Sequence, residues 1–356
     1  MAMATLAAVA AHAQVGIGTV SRVLNDSPAV SPEMRERVLK SMEAVGYAPS
    51  KKPPSQGKRG GLIGVLVTFF DEPSAYQRLR GIVAHLQPHG YEVVLFNVSA
   101  PGQVAERMME IPRHSLDGLI VMSLPLSEAD GERIAAAPFP AVLIDTTAPR
   151  LPSVGVDDRL GGQIATQHLV DLGHTRIGFV GEPPKNVFGF VASVRREEGY
   201  RSVLERADIA PVAELVRYGA HLRSAAKQMT LDLMSITDPP SAIVATSDVQ
   251  AVGVMEAAAT LGLRVPLDLS VVGYDDIELA SLMNLTTVRQ PLEGSGRRGA
   301  DLLLEAISSA DRPQLDEQLQ IELVLRSTTG PRRRSPQRSR TTPADQPRRS
   351  APEETM

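Results

Sequence analysis

Along the first 45 residues the apolar positions recur at helical spacing, and from Leu62 onward they collect into short continuous runs. Val9, Ala10 and Ala13 share one face, Val15 follows, and Val20, Val23 and Leu24 repeat at i, i+3 and i+4. The pattern predicts two short helices closing over one small core, a helix-turn-helix. Its second helix leaves Ile17, Gly18, Thr19, Ser21 and Arg22 facing outward, with one guanidinium able to reach a guanine edge or a phosphate. Ser31-Pro32-Glu33 then caps a third helix carrying Val38, Leu39, Met42 and Val45, which stops at Gly46-Tyr47-Ala48-Pro49.

Beyond Leu62, residues 62–67, 92–96, 118–122 and 141–144 read as buried strands separated by amphipathic helices near 75–88, 102–112 and 128–137. A second set follows, with strands at 176–180, 242–246 and 270–274 and helices near 158–172, 192–207, 221–235 and 248–262. Alternation of this kind predicts two parallel-sheet lobes, whose ligand site lies in the cleft beyond the carboxyl ends of the strands.

The net charge of −4 conceals an asymmetry: residues 1–60 carry +4, residues 331–356 carry +4, and the stretch between carries −12. A basic head on an acidic body suits a protein whose head alone approaches phosphates. Residues 47–60 are rich in Pro, Gly and Lys, which is linker composition, and the Arg- and Pro-rich tail 331–356 is disordered by composition, with at most a minor electrostatic role on DNA. Cysteine is absent, which excludes disulfides and thiol catalysis; with 4% aromatic residues and no Trp, stacking platforms are scarce. Apolar residues 1–13 superficially read as an export signal ending in Ala11-His12-Ala13, but no Lys or Arg precedes Arg22. No run approaches the roughly 18 apolar residues of a membrane span.

Thr5, Val9, Ala10, Ala13, Val15 and the run Thr19-Val20-Ser21-Arg22-Val23-Leu24-Asn25 resemble the opening of the LacI/GalR (lactose-repressor) family of bacterial transcriptional regulators. Asp157, Gly161-Gly162, His168-Leu169, Gly173-His174, Arg196, Gly199-Tyr200, Asp248, Gly273-Tyr274-Asp275 and Gln290-Pro291 stand where that family's effector-binding core has its signature residues. The resemblance implies an α/β protein: a helix-turn-helix head plus a core, similar to periplasmic sugar-binding proteins, of two doubly wound parallel-sheet lobes. Operator contacts are expected from Ile17, Gly18, Thr19, Ser21, Arg22 and Asn25 of the head and from Lys51 and Lys52 of the hinge, and the resemblance implies a polar clamp of Arg196 and Asp275 on the effector, with Ser247 and Asp248 nearby. Three departures matter. Gln14 replaces the family's turn glycine, Gly16 its capping serine, and no Leu lies between Tyr47 and Leu62 to serve as the minor-groove wedge of a hinge helix. Pro53-Pro54 and Gly57 disfavour a helix there, so Lys51, Lys52, Lys58 and Arg59 are expected to form an extended basic arm.

A guanidinium fork holds two adjacent sugar hydroxyls and a carboxylate accepts from two more, while Phe69 and Phe70 are placed to cover an apolar sugar face. On residue type alone, Arg196 equally suits a structural ion pair and Asp275 a turn cap. His168 and His174 suit structural hydrogen bonds. Gly294-Ser295-Gly296-Arg297-Arg298-Gly299 matches the dinucleotide string but follows the last strand instead of opening a first βαβ unit. His85 and His89 share a helix face without a third metal ligand in view. Neither a cofactor, a metal nor an enzymatic activity is expected.

These observations predict a head at 1–46, a hinge at 47–60 and a core at 61–330, with lobe one at about 61–158 plus 292–322 and lobe two at about 159–291 plus 323–330. They predict a cytoplasmic homodimer acting as a repressor on operator DNA and responding to a small hydroxylated effector, a sugar. The competing reading is a sugar receptor without DNA function. No leucine heptad follows the core, so no tetramerising coil is expected.

Overall fold

The computed structural model describes residues 6–24, 30–45, 61–111, 116–309 and 316–332. The chain divides into two compact units, residues 1–59 and 60–356. In the first, helices α1 (Leu6–Ala13), α2 (Ile17–Leu24) and α3 (Pro32–Ala44) enclose Val9, Ala10, Ala13, Val20, Val23, Val38 and Met42. Ser31 starts α3, its hydroxyl accepting from the Met34 amide at 3.3 Å. Leu39 departs from the expected apolar face: it is 48% exposed, while Val38 and Met42 are the side chains of α3 that are buried in this core. The apolar segment 6–13, whose alternative reading is an export signal, is here the first helix of this core.

The body holds two six-stranded sheets. In the first, strands β1 (Leu62–Val67), β2 (Glu92–Asn97), β3 (Gly118–Met122), β4 (Ala141–Ile144), β5 (Ser153–Gly155) and β11 (Asp316–Gln318) lie in the order β11-β5-β4-β3-β1-β2, all parallel. In the second, β6 (Ile177–Gly181), β7 (Val216–Tyr218), β8 (Ala242–Ala245), β9 (Ser270–Asp275), β10 (Thr287–Arg289) and β12 (Glu322–Val324) lie in the order β12-β10-β9-β8-β6-β7. β12 alone runs antiparallel, against β10. Each sheet is doubly wound, so the chain reverses direction across it beside β1 in one lobe and beside β6 in the other. Ligands bind at the carboxyl ends of such strands.

Helices α4 (Pro73–Leu86), α5 (Gln103–Glu110), α6 (Glu128–Ala135) and α12 (Leu292–Ser308) accompany the first sheet; α7 (Asp158–Asp171), α8 (Ala192–Arg206), α9 (Arg223–Met234), α10 (Asp248–Thr260) and α11 (Glu278–Leu282) accompany the second. The chain crosses between lobes after β5, after β10 and after β11. Strands β5, β7, β10, β11 and β12 and helix α11 were not in the sequence-based expectation, being three to five residues long and, for β11, wholly polar.

Two helix pairs cross at glycines. A methyl on Gly162 of α7 would collide with the Arg196 carbonyl of α8, and one on Gly199 of α8 with the Arg159 carbonyl of α7. In the first lobe, Gly81 of α4 meets the Glu293 carbonyl and Gly296 of α12 meets the Arg78 carbonyl. Gly296 and Gly299 of the dinucleotide-like string are thus helix-packing positions inside α12. Gly162→Ala is expected to cost about 3 kcal/mol in urea denaturation, since a backbone carbonyl cannot swing aside. Gly155→Ala, with open space around its Cβ, is the near-neutral control.

Candidate functional site

On the head, α2 turns Val20 and Val23 inward and leaves Ile17 54% exposed, with Gly18 and Arg22 also exposed and Thr19 half-buried. Ser21 lies on the same helix. Gln14 occupies the turn at φ 54°, a left-handed conformation that costs a non-glycine residue about 1 kcal/mol. The turn closes nonetheless, the Val15 amide donating to the Ala10 carbonyl at 3.0 Å. Gly16 starts α2 through its carbonyl, which accepts from Thr19 and Val20, and brings no hydroxyl to the helix end. Asn25, Lys51, Lys52, the rest of the hinge and the tail beyond residue 332 lie outside the described residues.

In the body, strand ends of both lobes bring polar side chains together. Phe69, Ser123 and Asp145 follow β1, β3 and β4 with φ of 49°, 49° and 57°, and Asp275 ends β9 at φ 114°. Four non-glycine residues in the left-handed region at neighbouring strand ends form the kind of strained cluster that functional sites hold. Asp145 accepts from the Ser123 hydroxyl at 3.0 Å and pairs with Arg78 of α4 at 3.1 Å. Arg78, 4% exposed, also donates to Gln290 at 3.1 Å, and Gln290 donates to Asp275 at 2.6 Å, which links the lobes.

Arg196 is the centre of the second lobe's half. It pairs with Asp158 at 2.8 Å, donates to the Thr246 carbonyl at 2.5 Å, and lies 3.6 Å from the centroid of the Tyr274 ring, a cation–π geometry. Glu182, after β6, accepts from His221 at 2.5 Å. The loop after Glu182 carries Phe188 and Phe190 across to Phe69, with ring centroids 5.3 and 6.1 Å away. Phe188 packs against the first lobe's core.

Burial opposes the Arg196 charge, but Asp158, Tyr274 and Asp275 outweigh it and raise its pKa. Burial pushes the Asp158 and Asp275 carboxyls up against the pull of Arg196 and Arg78. Burial likewise disfavours the His221 charge, yet Glu182 prevails and raises the imidazole above its usual 6.5. Glu182 is lowered in turn, His221 overcoming the burial that would raise it. The stabilisation owed to His221 is therefore complete below pH 6.5 and lost as pH rises through its raised value. Thermal melts are expected to show a steeper fall in Tm between about pH 6 and about pH 9 for the native protein than for His221→Gln; equal slopes would contradict the pairing.

The structure thus brings Arg196 and Asp275 together and sets Phe69 against Phe188 and Phe190 of the other lobe's loop, while Phe70 is 45% exposed on the same turn as Phe69. Ser247 and Asp248 are wholly buried beside it in framework bonds. Ser247 caps α10 by accepting from the Gln250 amide at 3.2 Å, and Asp248 accepts from the Thr287 hydroxyl at 2.6 Å and the Ile277 amide at 2.9 Å. The structural ion pair open to Arg196 on residue type is present, with Asp158. His168 and His174 make structural hydrogen bonds, to Thr329 and to Ser241 and Gly330. Sequence reasoning missed Arg78, Asp145, Asp158, Glu182, Phe188, Phe190 and His221, and placed Gln290 only as a signature position of the core without a partner. Asp145 was findable as the acid ending a buried run. A larger open groove of about 390 Å³ between α7 and Arg206 of α8 lacks this convergence of charged groups. Among the described residues no group of three or more His, Asp or Glu is placed to hold a metal; His85 pairs with Asp301. Among them, too, no helix is long and apolar enough to cross a membrane.

A helix-turn-helix head joined to a two-lobed body with a polar cleft defines a DNA-binding regulator. The family comparisons agree. Residues 5–50 match the model of bacterial regulatory proteins of the lacI family, and residues 166–329 match a periplasmic binding protein-like domain. The chain is 31% identical over 332 residues to the ribose operon repressor of Halalkalibacterium halodurans, covering 92% of this chain and 97% of that protein. Among solved structures it is similar to the lac repressor dimer bound to operator and the anti-inducer ONPF (TM-score 0.70, 29% identity, 92% and 100% coverage). It is also similar to a complex of the transcriptional regulator CelR with cellobiose (TM-score 0.67, 30% identity, 91% and 99% coverage). The chain belongs to the LacI family of bacterial transcriptional regulators, which are not enzymes.

Proposed function

We propose that this protein is a cytoplasmic repressor that binds a pseudo-palindromic operator as a homodimer and changes its operator affinity when a sugar occupies the body's cleft. The observation that carries the effector reading is the buried Arg196, held by Asp158 and stacked on Tyr274 with Asp275 near it, together with three phenylalanines that meet from both lobes. A guanidinium and a carboxylate orient hydroxyls, and aromatic faces cover the ring's apolar side. Relatives that are ribose operon repressors, and one solved with cellobiose, support the sugar class.

Ligand in the cleft shifts the closure of the lobes, which changes the spacing of the paired heads, so operator and effector affinities are reciprocally linked. The recognition residues are Ile17, Gly18, Thr19, Ser21, Arg22 and Asn25, with Lys51 and Lys52 on the phosphates. A fluorescence-anisotropy titration of the full-length protein against its own upstream DNA, at fixed salt, with and without neutral sugars, tests this. Specific binding altered by one sugar is expected; specific binding that none alters would overturn the effector reading.

A further inference from the structure

Each cation that meets the cleft already has a carboxylate. Arg78 pairs with Asp145 at 3.1 Å, Arg196 with Asp158 at 2.8 Å and His221 with Glu182 at 2.5 Å. Asp275 is a fourth carboxylate, 6% exposed, and its bonded partner is the neutral Gln290 amide at 2.6 Å. Glu72 adds further negative charge near His221, while burial and the neighbouring Asp275 push the Asp248 carboxyl well up, toward its neutral form. The nearby loop's cation, Lys185, is exposed to solvent. The cleft therefore holds an excess of negative charge with no cation left over.

Its spare hydrogen-bonding capacity is of a different kind. The buried Thr68 hydroxyl, Gln250 side-chain Nε2 and Arg78 Nε have no hydrogen-bond partner. Two are neutral groups, and the third belongs to a guanidinium whose charge Asp145 balances. Unpaired buried groups of this sort are satisfied by hydroxyls or water. A phosphate monoester brings between one and two negative charges, about −1.5 to −2 at neutral pH, and would have to break an existing ion pair or face Asp275 unscreened.

Resting on the reading of the cleft as a sugar site, we propose that it excludes anionic groups, so that the effector is an uncharged, unphosphorylated polyhydroxylated molecule and not a sugar phosphate or sugar acid. The three ion pairs act as a charge filter: they orient hydroxyls with donors and acceptors whose charges cancel, and leave nothing to compensate an incoming anion.

Matched pairs test this by calorimetric titration of the full-length protein: ribose against ribose 5-phosphate, glucose against glucose 6-phosphate and against glucuronate, galactose against galacturonate. The expected result is that any neutral member that binds outcompetes its anionic counterpart by about a hundredfold or more. An anionic member binding as tightly as its parent would overturn the inference while leaving the sugar reading intact. Binding by no member of either kind would overturn the sugar reading and the inference with it. Asp145→Asn, which leaves the permanently charged Arg78 guanidinium without its balancing carboxylate, is expected to narrow the discrimination by about tenfold; undiminished discrimination in that variant would overturn the role of the ion pairs.

Discussion

Arg196→Leu is expected to abolish the effector response and to destabilise the body by about 3–5 kcal/mol, because it leaves Asp158 buried without its partner. The side chain is 11% exposed and makes three kinds of contact at once: an ion pair, a bond to the Thr246 carbonyl and a stack on Tyr274. Leucine supplies none of them. Urea denaturation measures the stability loss, and anisotropy with the cognate sugar measures the response. Arg196→Lys separates the two roles: an ammonium keeps the charge opposite Asp158 but not the planar fork. It is expected to recover most of the stability while effector affinity stays down by about a hundredfold. Recovery of affinity by lysine would show that Arg196 serves the fold alone.

The second large effect lies on the head. Arg22→Ala is expected to weaken operator binding by about 1–3 kcal/mol per head, hence by about 2–6 kcal/mol for a dimer on two half-sites, if the guanidinium reads a guanine. Arg22 is exposed on α2 and the core beneath it is built from Val20 and Val23, so circular dichroism of the variant is expected to match the native protein. The loss should concentrate at one base position. A loss that is uniform across sequences, with the salt slope reduced by about one, would make Arg22 a phosphate contact instead.

Much of the architecture is legible in the sequence because it rests on periodicity. Leu62–Val67, Gly118–Met122 and Ala141–Ile144 are unbroken apolar runs, and they are buried strands. The head's core was readable for the same reason, with Leu39 as the exception: helical spacing locates a face but not its edge. Strands β5, β7, β10, β11 and β12 carry too few residues for a period to show, and pairing with neighbouring strands at or next to the sheet edges holds them. The cleft was half legible. Arg196, Asp275 and Phe69 could be placed by resemblance and chemistry, whereas the Arg78–Gln290–Asp275 chain spans 212 residues between its first two members and no local pattern announces it. Ser247 and Asp248 show the converse limit: adjacency to a site is visible in sequence, but the direction in which a carboxylate spends its bonds is not.

The two arginines of the cleft share a further property with the helix crossings. Gly162 abuts the backbone of Arg196 and Gly296 abuts the backbone of Arg78, so each guanidinium springs from the point where its helix is pressed hardest against a neighbour. A shift of either helix is delivered directly to the group that would grip the effector. A genetic screen for mutants with altered effector response should therefore return substitutions at Gly81, Gly162, Gly199 and Gly296. Redesign of the regulator for a new signal molecule should hold those four positions constant and vary the rim instead.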